Sequence, residues 1–244
     1  MYPGANQSAN YDRAATMFSP DGRLYQVEYA SKIVSQGTMG VACKYSDGIL
    51  FGADKKITSR LLIPESIEKI FPIDDHIVAV SAGLVGDARR LVGIARQKAQ
   101  ENRQYYEEPI QVENLVKEVS NVQQIFTQYG GMRPFGISFI IGGVDNTGRR
   151  LFETEASGAL AEYHAIAIGK NKNKAMELFE KEWKDNISRE GAIKLCLKAL
   201  EMGLDEKEKL DPKRLQFMFI DSARKFTPVS QDELKGYFAN SKKE

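Results

Sequence analysis

Two pairs of apolar runs, each pair joined by a short Asp-containing turn that ends in glycine, set the strongest limit on how this chain can fold. Thr38 to Tyr45 (TMGVACKY) and Ile49 to Asp54 (ILFGAD) flank Ser46-Asp47-Gly48, and Gly136 to Val144 (GISFIIGGV) and Arg150 to Ala156 (RLFETEA) flank Asp145-Asn146-Thr147-Gly148. Turns of this chemistry fold a strand back on its neighbour, so both pairs predict antiparallel hairpins. Each hairpin is followed by more strand and then by two helices. After the first, residues 55 to 75 carry Pro64, Pro72 and little period, and predict brief strands and turns. His76 to Ser81 (HIVAVS) predicts another strand, closed by Ala82-Gly83.

The helices show themselves by period. Ala88, Leu91, Val92, Ala95 and Ala99 form one apolar stripe, with Arg89, Arg90, Arg96, Lys98 and Glu101 outside it. Val112, Leu115, Val116, Val119, Val122, Phe126 and Tyr129 form a second, with Gly130-Gly131 as its stop and Pro109 in the connection before it. Beyond the second hairpin, Glu162 to Ile168 (EYHAIAI) predicts one strand ending at Gly169. Helices are expected at about 172–184 and 188–202, with Ser188 as N-cap and Gly203 as stop. Leu215 to Ile220 (LQFMFI) predicts a last central strand, and Ser230 with Glu233 forms a capping box for a short terminal helix.

Strands, two helices, strands, two helices and a strand predict an α+β fold of four layers, αββα, with two antiparallel sheets face to face between helix layers. There is no tandem repeat and no linker, so a single domain over 1–244 is expected. Within it, residues 1–10 are a polar tail, 11–36 a turn and helix, 37–238 the sandwich, and 239–244 a Lys-rich tail. In the N-terminal part, Ser19-Pro20-Asp21-Gly22 is a turn signal. The helix after it carries Leu24, Val27, Ala30 or Ser31, and Val34 on one face, widened by Tyr25, Tyr29 and Ile33, and must dock on its own domain or on a neighbouring subunit.

Composition excludes several function classes. Lys and Arg number 34 against 33 Asp and Glu, a formal charge of +1, so no global field recruits nucleic acid or an anionic membrane. No apolar run approaches the ~20 residues that span a bilayer, and no basic segment precedes an apolar one at the start, which predicts a cytoplasmic protein. Cys43 and Cys196 both sit in apolar patterns and predict buried, reduced thiols. His76 and His164 are the chain's two histidines, at or inside apolar strands, so a zinc site or a catalytic dyad lacks its parts and no cofactor or metal is expected. Gly83-Leu84-Val85-Gly86-Asp87 lacks the Gly-Lys-Ser/Thr ending of a phosphate loop. Glu107-Glu108 and Asp74-Asp75 predict solvated turns, because adjacent side chains diverge.

One constellation carries chemistry. Gly37-Thr38 opens the first strand, with Asp54, Lys55, Lys56 and Lys69 downstream at strand ends. A threonine whose amine has been freed, beside a lysine, can supply both base and nucleophile. Freeing that amine requires cleavage after Gly37, and a leader with so well-formed a turn and helix argues against its removal. Thr38 is therefore expected to be a structural threonine at a strand start, the alternative being a self-processing threonine hydrolase with Thr38 as N-terminal nucleophile.

Tyr11-Asp12-Arg13, Phe18-Ser19-Pro20-Asp21-Gly22-Arg23-Leu24 and Gln26-Val27-Glu28-Tyr29-Ala30 together resemble the N-terminal signature of 20S proteasome alpha subunits. The resemblance runs on through Asp54-Lys55-Lys56, Ser66-Ile67-Glu68-Lys69-Ile70, Ala82 to Arg89, Tyr129-Gly130-Gly131 and Arg133-Pro134-Phe135-Gly136, spans nearly the whole chain, and is most similar to the archaeal type. It implies the four-layer fold of the N-terminal nucleophile hydrolases and a non-catalytic role in an outer seven-membered ring of like copies. Such a ring rests on proteasome beta subunits, controls access of unfolded polypeptide and docks the C-termini of activating ATPases. Residue by residue, it implies a gate turn at Tyr11, Asp12, Arg13, Pro20 and Tyr29, with Met1 to Asn10 as the flexible plug. It further implies a pore annulus at Tyr129, Gly130 and Gly131, and an activator pocket at Lys69, Leu24 and Gly37. The chain departs from the pattern at Lys32-Ile33, where family members often carry Glu-Ala, so contacts along the first helix are expected to differ.

Overall fold

The computed structural model describes residues 13–241 apart from 58, 60, 206, 207 and 224; the expectations for Met1 to Asn10, for Tyr11 and Asp12, and for residues 242–244 lie outside the described residues. A helix, α1 (Tyr25–Gln36), leads into the hairpin β1 (Gly40–Tyr45) and β2 (Gly48–Asp54). Strands β3 (Ile70–Asp74) and β4 (Ile77–Gly83) precede α2 (Val85–Tyr106) and α3 (Val112–Ile125). Strands β5 (Ile137–Asp145), β6 (Gly148–Thr154), β7 (Leu160–Glu162) and β8 (Ala165–Ile168) precede α4 (Lys172–Glu182) and α5 (Arg189–Met202), and β9 (Leu215–Asp221), β10 (Phe226–Pro228) and α6 (Gln231–Ser241) close the chain.

The strands form two five-stranded sheets, in the orders β10-β9-β2-β1-β8 and β3-β4-β5-β6-β7. Each pairing is antiparallel. Both hairpins close where expected, with Tyr45 opposite Gly48 and Asp145 opposite Gly148. Asp145 organises its turn through one carboxylate oxygen, which accepts from the Thr147 N–H at 2.8 Å and hydroxyl at 2.6 Å. Its other oxygen accepts from the Val112 N–H at 2.8 Å, so the same side chain satisfies a donor at the start of α3.

Side-chain alternation then sorts each strand between two cores. Val41, Cys43 and Tyr45 of β1, Leu50 of β2, and Leu215, Phe217 and Phe219 of β9 pack with α4 and α5 in one apolar cluster. Ile77 and Ala79 of β4 and Ile137, Phe139 and Ile141 of β5 pack with the stripes of α2 and α3 in a second. The intervening residues, Ala42, Ile49, Phe51, Val78, Val80, Ile140 and Ile220 among them, meet between the sheets in a third. The predicted αββα sandwich is therefore the observed one. Burial on both faces explains why strands such as β2 and β5 read as near-continuous apolar runs although their sheets are antiparallel.

Four expectations need correction. The apolar stripe predicts a third helix running to Tyr129, but the helix ends at Ile125. From Thr127 on, N–H groups bond three residues back, Thr127 to Gln124 O and Gln128 to Ile125 O, and Phe126 packs on Phe135 at 4.4 Å. The single strand expected over 162–168 is two, in different sheets: Tyr163 N bonds Leu151 O in one and Lys44 N bonds His164 O in the other, so the chain crosses the sandwich there. His164 consequently lies outside a strand, stacked on Trp183 at 4.7 Å. Asp74 is buried rather than solvated, because Arg103 Nη2 reaches both its carboxylate oxygens at 2.9 and 3.1 Å.

At the N-terminal side, the turn at Ser19 to Gly22 forms as expected. Gly22 takes φ +74° and its N–H bonds Ser19 O at 2.8 Å. Helix α1 lies against β4 and β5 at one end of the sandwich. It buries Ala30 alone completely, leaves Leu24, Val27 and Val34 half-buried, and exposes Tyr29 and Ile33.

Candidate functional site

The cluster around Thr38 is built by the join between α1 and β1. The Gly37 N–H closes α1 by bonding Val34 O at 3.0 Å, and the Gly37 carbonyl accepts from the Lys170 N–H at 2.8 Å. Glycine is required there: a Cβ on Gly37 would stand 2.7 Å from the Gly83 nitrogen. Both polar groups of Gly37 are therefore committed to backbone hydrogen bonds.

The Thr38 hydroxyl donates to the Asp54 carbonyl oxygen at 2.7 Å. Lys69, in the residue before β3, brings its ammonium to the Thr38 carbonyl oxygen at 2.6 Å and to the Thr38 hydroxyl. Lys69 is 7% exposed. Burial pushes its ammonium down to about 8, partly offset by the charge of Asp54. The Asp54 carboxylate does not bond Lys69; it is held by Arg214, at 3.0 Å from Nε and 2.7 Å from Nη2. Lys55 Nζ bonds Pro64 O at 3.2 Å, and exposed Lys56 pairs with Glu208 at 3.4 Å.

Chemically, this is a hydroxyl touching an amine that loses its proton near pH 8, the pairing of a nucleophile with a base. For that chemistry Thr38 would need a free α-amine, because an amide nitrogen has no available lone pair.

The remaining sequence candidates are dispersed. Arg13 and Pro20 are exposed, and Tyr29 is 44% exposed on α1. Tyr129, 60% exposed, Gly130 and Gly131 form the turn after α3, with Gly131 at φ +80° and open space around both glycines. That turn rests on a fixed base: Asp87 at the start of α2 accepts from Arg133 Nη1 and Nη2, both at 2.7 Å, and from the Gly136 N–H at 2.8 Å. Burial pushes the Asp87 carboxyl up, but the bonds from Arg133 and Gly136 together outweigh it and hold it below the usual value. Of the three residues assigned to a pocket, Gly37 and Lys69 meet around Thr38. Leu24 caps the opposite end of the 12-residue α1, about 18 Å along the helix axis.

A separate cleft of about 510 Å³ opens between α1 and the start of α4, lined by Val34, Ser35, Ser138, Glu153 and Lys172 but by neither Thr38 nor Lys69. Burial pushes the Glu153 carboxyl up although Lys172 Nζ sits 2.7 Å from it.

Sequence reading misses Arg214 and the Lys170 N–H. Both reach the site from more than a hundred residues away, and no local pattern marks them; Asp54 opposite Leu215 in the β2–β9 pairing is what brings Arg214 in.

An αββα sandwich with a threonine at the head of its first strand and a lysine on that hydroxyl is the architecture of the N-terminal nucleophile hydrolases. Comparison with known proteins places the chain more closely. A family model described as "Proteasome subunit" matches residues 34–220, and a second, describing the N-terminal signature of A-type proteasome subunits, matches residues 11–32. The chain is 48% identical over 232 residues to "Proteasome subunit alpha" of Methanothermobacter thermautotrophicus, covering 95% of this chain and 93% of that one. It is 48% identical over 228 residues to the protein so named in Archaeoglobus fulgidus, covering 93% and 92%. With that of Methanopyrus kandleri it shares 52% over 190 residues, covering 78% and 77%. The chain belongs to the proteasome subunit family, on its alpha side and with archaeal relatives. No helix among the described residues is long and apolar enough to cross a membrane.

Proposed function

We propose that this chain is a non-catalytic structural and gating subunit of a cytoplasmic 20S proteasome core particle. Seven copies form an outer ring on the beta subunits, the ring controls access of unfolded polypeptide, and it docks the C-termini of activating ATPases; nucleic acid and membrane are not partners. The observation that carries this reading is the place of Gly37, which ends a helix packed on β4 and β5 and holds its carbonyl on Lys170. The packing of this leader into the sandwich supports its retention, which would keep the Thr38 nitrogen an amide.

Under this reading Tyr11, Asp12, Arg13, Pro20 and Tyr29 make the gate turn, with Met1 to Asn10 as the plug. The exposure of Arg13, Pro20 and Tyr29 supports it. Tyr129, Gly130 and Gly131 line the annulus, which their exposure and the free space at both glycines support. Lys69, Leu24 and Gly37 receive the activator's C-terminus. Because Leu24 and Gly37 cap opposite ends of α1, a pocket containing both joins the start of one copy's α1 to the end of a neighbour's. A particle assembled with beta subunits tests the gate: deleting Met1 to Asn10 is expected to speed peptide hydrolysis, and an unchanged rate counts against it.

A second reading, self-processing at Gly37–Thr38 to release an N-terminal nucleophile, is favoured by one observation, the contact of Lys69 Nζ with the Thr38 hydroxyl. Intact mass decides between the two. Retention of residues 1–37 supports the gating role, and their loss the hydrolase.

A further inference from the structure

The two cysteines stand 153 residues apart in sequence and in contact in space, their Sγ atoms 3.6 Å apart. Both thiols are fully buried and reduced. Strand β1 presents Cys43 on its helix-facing side, with Val41 and Tyr45, and α5 presents Cys196 between the small residues Ala192 and Ala199, which let the helix approach the sheet. No other side chain comes between the two sulfurs.

We propose that Cys43 and Cys196 are a latent intramolecular disulfide, closed by a small peroxide and locking β1 to α5. One thiolate attacks the O–O bond of hydrogen peroxide, giving a sulfenic acid and, with a proton, water. The other thiol sulfur then attacks that sulfenic sulfur, forming the S–S bond as a second water leaves. Two thiols and one peroxide thus give one disulfide and two waters. Burial pushes the Cys196 thiol up, with Cys43 adding to the effect, so the thiolate is scarce and the first step is slow. The second step is fast because its partner is already in contact, and this diverts the sulfenic acid from irreversible sulfinic and sulfonic acids. The closed bond ties the strand that carries Gly37 and Thr38 at its head to the helix layer packed on its own sheet.

The test is intact mass of the full chain after hydrogen peroxide treatment, at temperatures raised stepwise to just below unfolding, with denaturation and alkylation afterwards. The wild type is expected to lose both alkylation sites, stay monomeric under denaturing conditions, and regain both sites on reduction. The single variants Cys43→Ala and Cys196→Ala, treated alike, are expected to gain oxygen at the remaining cysteine. Oxidised wild type is expected to melt about 10 °C above the reduced form, from closing so long a loop. Two thiols that still alkylate, oxygen gain in the wild type at the variants' level, disulfide-linked dimers, or an unchanged or lower Tm would each overturn the proposal.

Discussion

Lys69 Nζ donates to the Thr38 carbonyl oxygen at 2.6 Å, while the nearby carboxylate of Asp54 is taken by Arg214. The lysine is thus buried against neutral oxygens, its charge compensated only at a distance. That arrangement has consequences for stability and, under the proposed function, for docking.

Burial lowers the Lys69 ammonium from 10.5 to about 8. Below pH 8 both folded and unfolded chains hold the proton, and the cost of the buried charge is fully present. Between about 8 and 10.5 the folded chain sheds it while the unfolded chain keeps it, so stability rises with pH. The shift corresponds to roughly 3 kcal/mol. Urea denaturation of wild type and Lys69→Met from pH 7 to 10 should show the wild type gaining on the variant by up to that amount; a constant difference would contradict the assignment.

Docking has the opposite dependence. A carboxylate is bound by the ammonium and not by the amine, so affinity for an activator's C-terminal peptide is expected to fall as pH passes about 8. Lys69→Ala should weaken binding on the order of tenfold or more, the size of a charge-assisted hydrogen bond. Titration of the assembled particle with a labelled peptide measures both, and full affinity in the variant would remove Lys69 from the pocket.

Arg214 is expected to matter more for folding than its distance from any motif suggests. Arg214→Met leaves the Asp54 carboxylate, 3% exposed, without its bidentate partner. The cost should be about 3–5 kcal/mol. Adding Asp54→Asn removes the stranded charge and should recover a large part of that loss in chemical denaturation. A double variant no more stable than the single one would show that the two residues do not act as a pair.

Asp87 anchors the loop that carries Tyr129, Gly130 and Gly131. Its folded carboxyl is held low, so its contribution is present above about pH 4, where the unfolded group ionises, and is lost as pH falls through the folded value. Asp87→Asn is expected to cost about 1–2 kcal/mol at pH 7, the Arg133 side of the pair being exposed, and progressively less as pH falls below about 4. Hydrogen exchange should quicken across 129–136 in the variant; unchanged protection there would release the loop from this anchor.

Much of the fold is legible in the sequence because it is local. The turn chemistry at Asp47-Gly48 and at Asp145 to Gly148, and the apolar stripes of α2, α3 and α5, are written in consecutive residues, and each element forms, α3 alone stopping short of its expected end. The end of α3 is not legible because Phe126 packs on Phe135, a residue outside the helix that no local pattern links to it. The crossing at Tyr163–His164 is invisible for a related reason: EYHAIAI contains no Gly, Pro, Asn, Asp or Ser to mark a break, and the choice of sheet for each half depends on β6 and β1.

The site divides along the same line. By itself the sequence determined the motif set that marks an alpha-type proteasome subunit, the glycine and threonine at the head of β1, and the lysine at position 69, because these are identities at positions and need no partner to be read. Only the tertiary structure decided that Arg214 holds Asp54, that Lys69 turns inward to Thr38, and that Cys43 meets Cys196. Each of those pairings joins residues far apart in the chain, and their energies depend on burial and distance, which exist only once the sheets and helices have closed on one another.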